Sequence, residues 1–315
     1  MKAFSFVAWL VCGFLASCSH ARSPLPKDQS YAGEIHFIHD LELPEISGMA
    51  PSFYVADHYW MLNDSGRLPR LFLVSANGNV IARVDVESVE NTDWEDLARF
   101  THGGKSYLLI ADVGDNLAQR SSVNLHWVEE PDLSQGVVPG VSAVKPVGSI
   151  RLRYEDGPRD VESVAVDEVA GWIYLLSKRD QPPRFYRLPL VSAPSEITVA
   201  MFVAELNKHP QPTIEEVMAK PRLGPFRYSP TAMDLSPNGQ QLAVLGYNQV
   251  FLYSRDHDEN WQEVFARSPE VLIRHQLRQA EAASFSRNGK KVIFTSEKLP
   301  APILSVPLLK AARSD

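Results

Sequence analysis

One segment type recurs five times and constrains this chain more than any other feature. Each copy opens on an acidic or hydroxyl residue, runs as a short apolar strand, turns, and enters a second apolar run. The openings read Glu45-Ile-Ser-Gly-Met-Ala, Glu95-Asp-Leu-Ala, Glu162-Ser-Val-Ala-Val, Thr231-Ala-Met-Asp-Leu-Ser and Glu281-Ala-Ala-Ser-Phe-Ser. Their partners are Tyr59-Trp-Met-Leu, Tyr107-Leu-Leu-Ile, Trp172-Ile-Tyr-Leu-Leu, Leu242-Ala-Val-Leu and Val292-Ile-Phe-Thr. Repeats every roughly 40–70 residues, with no long helical period, predict an all-β chain folded as a single β-propeller.

Four antiparallel strands per blade give five blades, with six as the alternative count. The fifth blade is one strand short. The N-terminal run Glu34-Ile-His-Phe-Ile-His-Asp40 is expected to supply that strand, closing the ring and removing two exposed sheet edges. The stretch from Asn207 to Tyr228 fits no strand. Within it Thr213-Ile-Glu-Glu-Val-Met-Ala-Lys220 predicts two helical turns, either as a functional insertion on one face or as a plain linker between blades.

The first residues belong to no blade. Lys2 and the apolar stretch from Phe4 to Phe14 read as a secretory leader, too short for a mature membrane span. Leu15-Ala-Ser-Cys18 resembles the lipobox of bacterial lipoproteins, the alternative being an ordinary leader with a chance cysteine. The resemblance implies a signal peptide over residues 1–17, lipid on Cys18, a tether over 18–33 and the propeller over 34–315. It also implies an outer-membrane lipoprotein of the bacterial cell envelope, facing the periplasm or the outside. Cys12 and Cys18 are the only two cysteines, so the folded domain has none for a disulfide, a zinc–thiolate site or a cysteine nucleophile. A net charge of −7 and the lack of any Lys/Arg run argue against nucleic acid as a partner.

The starts of a propeller's inner strands converge around one axis, so Glu45, Glu95, Glu162 and Glu281 are expected in one ring, with Thr231 in the fifth place. Carboxylates roughly 7 Å apart at an effective dielectric near 20 repel by about 2–3 kcal/mol per adjacent pair. Such a ring must protonate, recruit Arg or Lys, or bind a cation. Arg159, Lys178 and Arg179 are the candidate counter-ions. Further oxygen ligands gather at second-strand ends and loops: Asn63, Asp64, Asp112, Asp115, Asn116 and Glu297. Such a set suits Ca²⁺ or Mg²⁺ better than a transition metal, and the competing reading is carboxylates salt-bridged to hold the blades together. Asp93 and Asp160 stand two residues before Glu95 and Glu162, on the same side of an extended strand, with Trp94 turned towards the core. In Asp112-Val-Gly-Asp-Asn116 the glycine is expected to allow a tight turn that gathers three polar side chains.

Other motifs are absent or incomplete. No Gly-x-Ser-x-Gly or His-Glu-x-x-His occurs, and the nine histidines show no ligand spacing. Gly103-Gly-Lys-Ser106 lacks the first glycine of a P-loop, where Arg99 stands, and Asp256-His-Asp-Glu-Asn260 meets Trp261 where an EF-hand needs glycine.

At Glu45-Ile-Ser-Gly48, Asn63-Asp-Ser-Gly66, Asp93-Trp-Glu-Asp96, Asp112-Val-Gly-Asp-Asn116 and Asp156-Gly-Pro-Arg-Asp-Val-Glu162 the chain resembles a group of secreted bacterial propellers. This superfamily includes SdiA-regulated proteins, esterase-like phytase-domain proteins and, more distantly, calcium-dependent β-propeller phytases. The resemblance implies a calcium-lined channel mouth. The chain departs from the phytase pattern at Ser163, where that pattern has glycine, and has few spare cations for a highly phosphorylated substrate. Three functions follow as expectations: a lipid-anchored propeller binding a small molecule or envelope protein over its acidic mouth, a Ca²⁺-dependent phosphoesterase or esterase, and a structural subunit of an envelope complex.

Overall fold

The computed structural model describes residues 34–136, 141–190 and 197–308. The expected leader and tether over residues 1–33, Cys18 included, lie outside the described residues.

Among the described residues the chain forms 21 strands. Strand β1 (His36–Ile38) comes first, followed by blade one with β2 (Ile46–Pro51), β3 (His58–Asn63), β4 (Arg70–Ser75) and β5 (Val80–Val86). Blade two takes β6 (Trp94–His102), β7 (Lys105–Asp112), β8 (Val123–Glu129) and, after the short β9 (Val141–Val144), β10 (Gly148–Tyr154). Blade three is β11 (Val161–Asp167), β12 (Trp172–Ser177), β13 (Arg184–Pro189) and β14 (Thr198–Glu205). Helix α1 (Ile214–Ala219) precedes blade four, which comprises β15 (Pro230–Leu235), β16 (Gln241–Gly246) and β17 (Gln249–Ser254), then helix α2 (Trp261–Phe265) and β18 (Glu270–Arg274). Blade five is β19 (Ala280–Phe285), β20 (Lys291–Ser296) and β21 (Ala301–Pro307). β1 pairs antiparallel with β21, so the N-terminal strand completes the last blade.

The inner strands β2, β6, β11, β15 and β19 stand side by side in that order, and β19 returns to β2. This is a closed five-bladed propeller, which removes the six-blade alternative. Inner strands are apolar on both faces because each is packed between two neighbouring blades; β11 is buried at every residue. Outer strands such as β10 alternate exposed and buried positions, because only one face meets a neighbour. The core is accordingly five wedges between blades. Trp60 and Trp94 anchor the wedge between blades one and two, Leu109 and Tyr186 the next, and Phe185 and Trp261 the third. Leu245 and Phe294 fill the wedge between blades four and five, and Met49 and Ile293 the wedge that closes the ring.

Three features were not expected from sequence. β9 adds to blade one as a fifth strand parallel to β5, and β10 and β14 pair in parallel, fusing the outer edges of blades two and three. Both cover edges that a plain blade exposes. Helix α2 starts at a capping box, with the Asn260 side chain accepting from the Glu263 N–H and the Glu263 carboxylate accepting from the Asn260 N–H. The expected helix at 213–220 is present, one residue shorter at each end, with Thr213 and Glu216 forming its own capping box.

Gly48 sits where β2 crosses closest to β6. A Cβ there would lie 2.6 Å from the Leu97 nitrogen and 2.8 Å from the Asp96 Cα, both backbone atoms that cannot swing away. Gly48→Ala should therefore cost about 1–3 kcal/mol, as overpacking does, measured as a lower chemical-denaturation midpoint at unchanged slope.

Candidate functional site

Every inner strand carries a β-bulge one residue after its start. Pairing with the second strand slips between Ile46 and Gly48, Trp94 and Asp96, Val161 and Ser163, Pro230 and Ala232, and Ala280 and Ala282. The residue expelled from each ladder is Ser47, Glu95, Glu162, Thr231 or Glu281. A bulge re-aims its side chain, and here it turns the five towards one mouth of the channel. The ring is therefore not the expected one. Glu45 is equivalent to Asp93 and Asp160, one step further out, and the true blade-one member is Ser47. Alignment on Glu45 misplaces blade one by two positions, because this blade carries Ser47 where blades two, three and five carry glutamate, and its nearest acid is the equivalent of Asp93 and Asp160.

A second tier follows from the same register. Each second strand ends opposite the residue before the bulge, so Asp64, Val113, Lys178, Tyr247 and Glu297 are equivalent positions just beyond it. These two tiers interlock, and their charges divide the mouth into two unlike halves.

The half built by blades three to five is internally neutralised. The Lys178 Nζ lies 2.5 Å from Glu162 Oε2 and 4.0 Å from Glu281 Oε1, and 5.5 Å from the centre of the Tyr247 ring. Burial opposes the Lys178 charge, but Glu162, Tyr247 and Glu281 outweigh it and hold the ammonium protonated well beyond its ordinary range. Burial raises the Glu162 carboxyl, with Lys178 pulling the other way. The Tyr247 hydroxyl donates to Glu281 Oε1 at 2.9 Å, and Gln279 Nε2 donates to Glu297 Oε2 at 2.6 Å. Burial, first, and a hydrogen bond to Glu281 push the Glu297 carboxyl up. Thr231 uses its hydroxyl to donate to Ala280 O at 2.6 Å, and Ser47 likewise donates to Glu95 O at 2.6 Å. At those two positions the bulge stitches blades together.

The half built by blades one and two is not neutralised. Carboxylate oxygens of Asp64, Asp93 and Glu95 all lie within 4.8 Å of one another. Glu95 is 5 % exposed and, among the described residues, its carboxylate has neither a hydrogen-bond donor nor an ion-pair partner. Burial first, then the charges of Glu162 and Asp64, hold its carboxyl well above the ordinary range. Burial and the neighbouring Asp64 push Asp93 up to about 6, and burial also raises Asp64. Gly114 forms the floor. A Cβ there would stand 2.2 Å from Glu95 Oε1 and 2.4 Å from Asp93 Oδ2, so any side chain would fill the space between the acids. Its φ is not left-handed, so glycine is required by this close approach and not by the tight turn expected from sequence.

The remaining candidates surround this centre. Asp112 is buried against Arg120 Nη2 at 2.9 Å and accepts from the Asp93 N–H at 3.3 Å. Asp115 accepts from the backbone N–H groups of Gln119 and Arg120, fixing its own loop, while Asn116 is exposed and accepts from Arg179. The three polar side chains of that motif thus go to three separate partners. Asp160 pairs with Arg179 at 2.5 Å. Glu45 lies at the rim, paired with Arg67 at 2.7 Å. Arg159 is no counter-ion to the ring: it pairs with Asp156 at 2.7 Å and Asp180 at 2.8 Å. The insertion after blade three flanks the mouth, with the Phe226 ring 5.1 Å from the Arg179 guanidinium and Pro225 O accepting from Gln181 Nε2 at 3.0 Å. Sequence reasoning missed Ser47, Arg120 and Tyr247; only the recurrence of a residue just past each second strand signals Tyr247.

No family model matches the chain, and no curated protein matches it. Among solved structures it is similar to a chain in the crystal structure of a nidogen/laminin complex, at 13 % identity and a TM-score of 0.42, over 80 % of this chain and 72 % of that one. The propeller assignment rests on the sheets and their closure.

Two substitutions probe the two halves. Lys178→Met leaves Glu162 and Glu281 buried without their cation and should cost about 3–5 kcal/mol at pH 8, read by denaturant titration. Asp93→Asn should act oppositely in cation-free protein. Because folding raises the Asp93 carboxyl from its ordinary value near 4 to about 6, the native state binds more protons there than the unfolded chain. Stability at this residue is therefore lost as pH rises through that interval, and the variant should melt above the parent at pH 8, with the gap closing by pH 4.

Proposed function

We propose that this protein is a propeller that binds an anionic, oxygen-rich ligand through a divalent cation, Ca²⁺, held by Asp64, Asp93 and Glu95 at one mouth of its channel. The observation that carries this reading is Glu95, a buried carboxylate with no donor or counter-ion among the described residues, facing two more acids across a glycine floor. A buried anion without a partner is costly unless it protonates or meets a cation. Ca²⁺ takes oxygen ligands at about 2.3–2.6 Å, so opposed ligands lie about 4.6–5.2 Å apart. One oxygen from each of the three acids lies within 4.8 Å of the others, close enough for all three to reach one such ion. An all-carboxylate set favours a hard cation.

Asp64 and Asp93 are only half-buried, which leaves coordination positions towards solvent for water or a ligand oxygen. Arg67, Arg120 and Arg179 stand around the same mouth, each paired with an acid of its own, so the anionic group would be held by the cation itself. Binding is favoured over hydrolysis because the next bulge carboxylate, Glu162, is committed to Lys178 and is poorly placed to activate water. It is favoured over a purely structural role at the blade edges because the outer edges of blades two and three are already paired with each other. On this reading lipid on Cys18 holds the domain at the bacterial outer membrane. The chain's place beside the SdiA-regulated and esterase-like phytase-domain propellers is part of the same proposal.

Thermal melting with EDTA and then with excess Ca²⁺ tests the cation. At a free Ca²⁺ concentration 100-fold above its Kd, the ion should stabilise the protein by about 2.7 kcal/mol, a shift of several degrees. Glu95→Gln and Gly114→Ala should each abolish most of that shift, while Glu45→Gln leaves it intact. A melt indifferent to both EDTA and Ca²⁺ overturns the reading.

A further inference from the structure

The opposite mouth of the channel has its own chemistry. The inner strands end there, and all five blades contribute to the wall of a pocket of about 80 Å³, through Pro51, Arg99, Glu168, Ser236 and Arg287 among others. Arg99 projects from β6, and its Nε and Nη1 are buried with no hydrogen-bond acceptor among the described residues. The nearest carboxylate oxygen, Glu168 Oε1, is 3.9 Å from Nη2, too far for a hydrogen bond, and the other Glu168 oxygen accepts from the Thr101 hydroxyl.

The other acids of this wall are engaged elsewhere. Asp167 pairs with Arg255 at 2.7 Å. Asp234 accepts from the N–H groups of Leu235 and Phe285 and from the Ser284 hydroxyl. Arg287 is exposed and, among the described residues, makes neither a hydrogen bond nor an ion pair. Both guanidinium groups face one aromatic ring: Arg287 lies 5.0 Å and Arg99 5.8 Å from the centre of Phe53. Two cations converge on one ring and one pocket, and buried donors of the half-enclosed one lack an acceptor.

Unmet donors of this kind are expensive, and the planar fork of arginine is suited to carboxylate and phosphate. We propose that this mouth binds one small oxyanion, a phosphate or carboxylate group, between Arg99 and Arg287 and beside Phe53. The volume equals that of about two to three water molecules, so the pocket takes an inorganic ion or the anionic end of a larger ligand. The site does not depend on the cation reading, since no residue is common to both ends.

The test uses the purified full chain, stripped of divalent cations and then dialysed free of chelator. Inorganic phosphate and acetate are titrated separately and followed calorimetrically. The expected result is saturable binding of one ion per chain. A response to phosphate alone assigns the phosphate class, to acetate alone the carboxylate class, and to both, in competition, a general oxyanion site. Arg287→Ala should weaken binding about tenfold or more, the loss of one charged hydrogen-bonding partner, and Arg99→Gln should abolish it. Asp93→Asn, at the other mouth, should leave it unchanged. Absence of saturable binding, or affinity unaltered in Arg287→Ala, overturns the proposal. Arg287 is exposed, so this variant decides the matter even where Arg99→Gln does not fold.

Discussion

The slip of one residue at the start of every inner strand is the constraint on which the rest of this molecule depends. An inner strand packed on both faces between two blades has no free side for a charged residue. Ordinary pairing would bury the carboxylates of Glu95, Glu162 and Glu281 in an apolar wedge or break the ladder beside it. The bulge resolves this by expelling one residue per blade from the ladder, at the one place where an axial space exists. The apolar periodicity of β6, β11 and β19 resumes directly afterwards, so the wedges between blades close without a polar gap.

Once the residues are expelled, their chemistry decides what the mouth does. Ser47 and Thr231 satisfy themselves on the neighbouring backbone and act as stitches between blades. Glu162 and Glu281 meet Lys178, which stands in the second tier because it follows β12 as Tyr247 follows β16. Blade two has Val113 in that tier and blade one has Asp64, so Glu95 receives no cation from either. Near-equivalence of five blades thus generates an unequal mouth. A single lysine in one blade neutralises one side, and an aspartate at the matching place in another leaves the opposite side in need of positive charge.

The fold was legible because it rests on local signals that every blade repeats: paired apolar runs, turn residues between them and an N-terminal strand left without a partner. The site was legible in its residue types and less so in its geometry. Asp64, Asp93 and Glu95 were all recognisable as candidates, yet nothing local distinguishes them from Asp112 and Asp160, which arginines neutralise. Glu45 was misplaced because blade one has Ser47 at the ring position, and the acid two residues before it stands where blades two and three have Asp93 and Asp160. Gly114 was recognised for the wrong reason. A glycine between aspartates reads as a turn, whereas its role is to leave room for side chains from a strand about 20 residues earlier. Arg159 was assigned to the ring by adjacency, but extended chain sends neighbours to opposite sides, and it reaches outward to Asp156 and Asp180. The parallel additions of β9 and β10 were invisible because they join segments far apart in sequence.

The same logic separates the two ends of the axis. At the starts of the inner strands the bulges concentrate acids; at their ends regular turns leave the residues in register, Arg287 has no ionic partner among the described residues, and Arg99 has only Glu168 at 3.9 Å. Between them lies Asp96, whose buried carboxylate accepts from the N–H groups of Leu97 and Val164 at 2.8 Å and of Met233 at 3.4 Å. Burial holds that carboxyl well above the ordinary range despite these donors. Asp96 thereby ties the inner strands β6, β11 and β15 together. A cation at one mouth and an anion at the other would share the inner strands that Asp96 ties together.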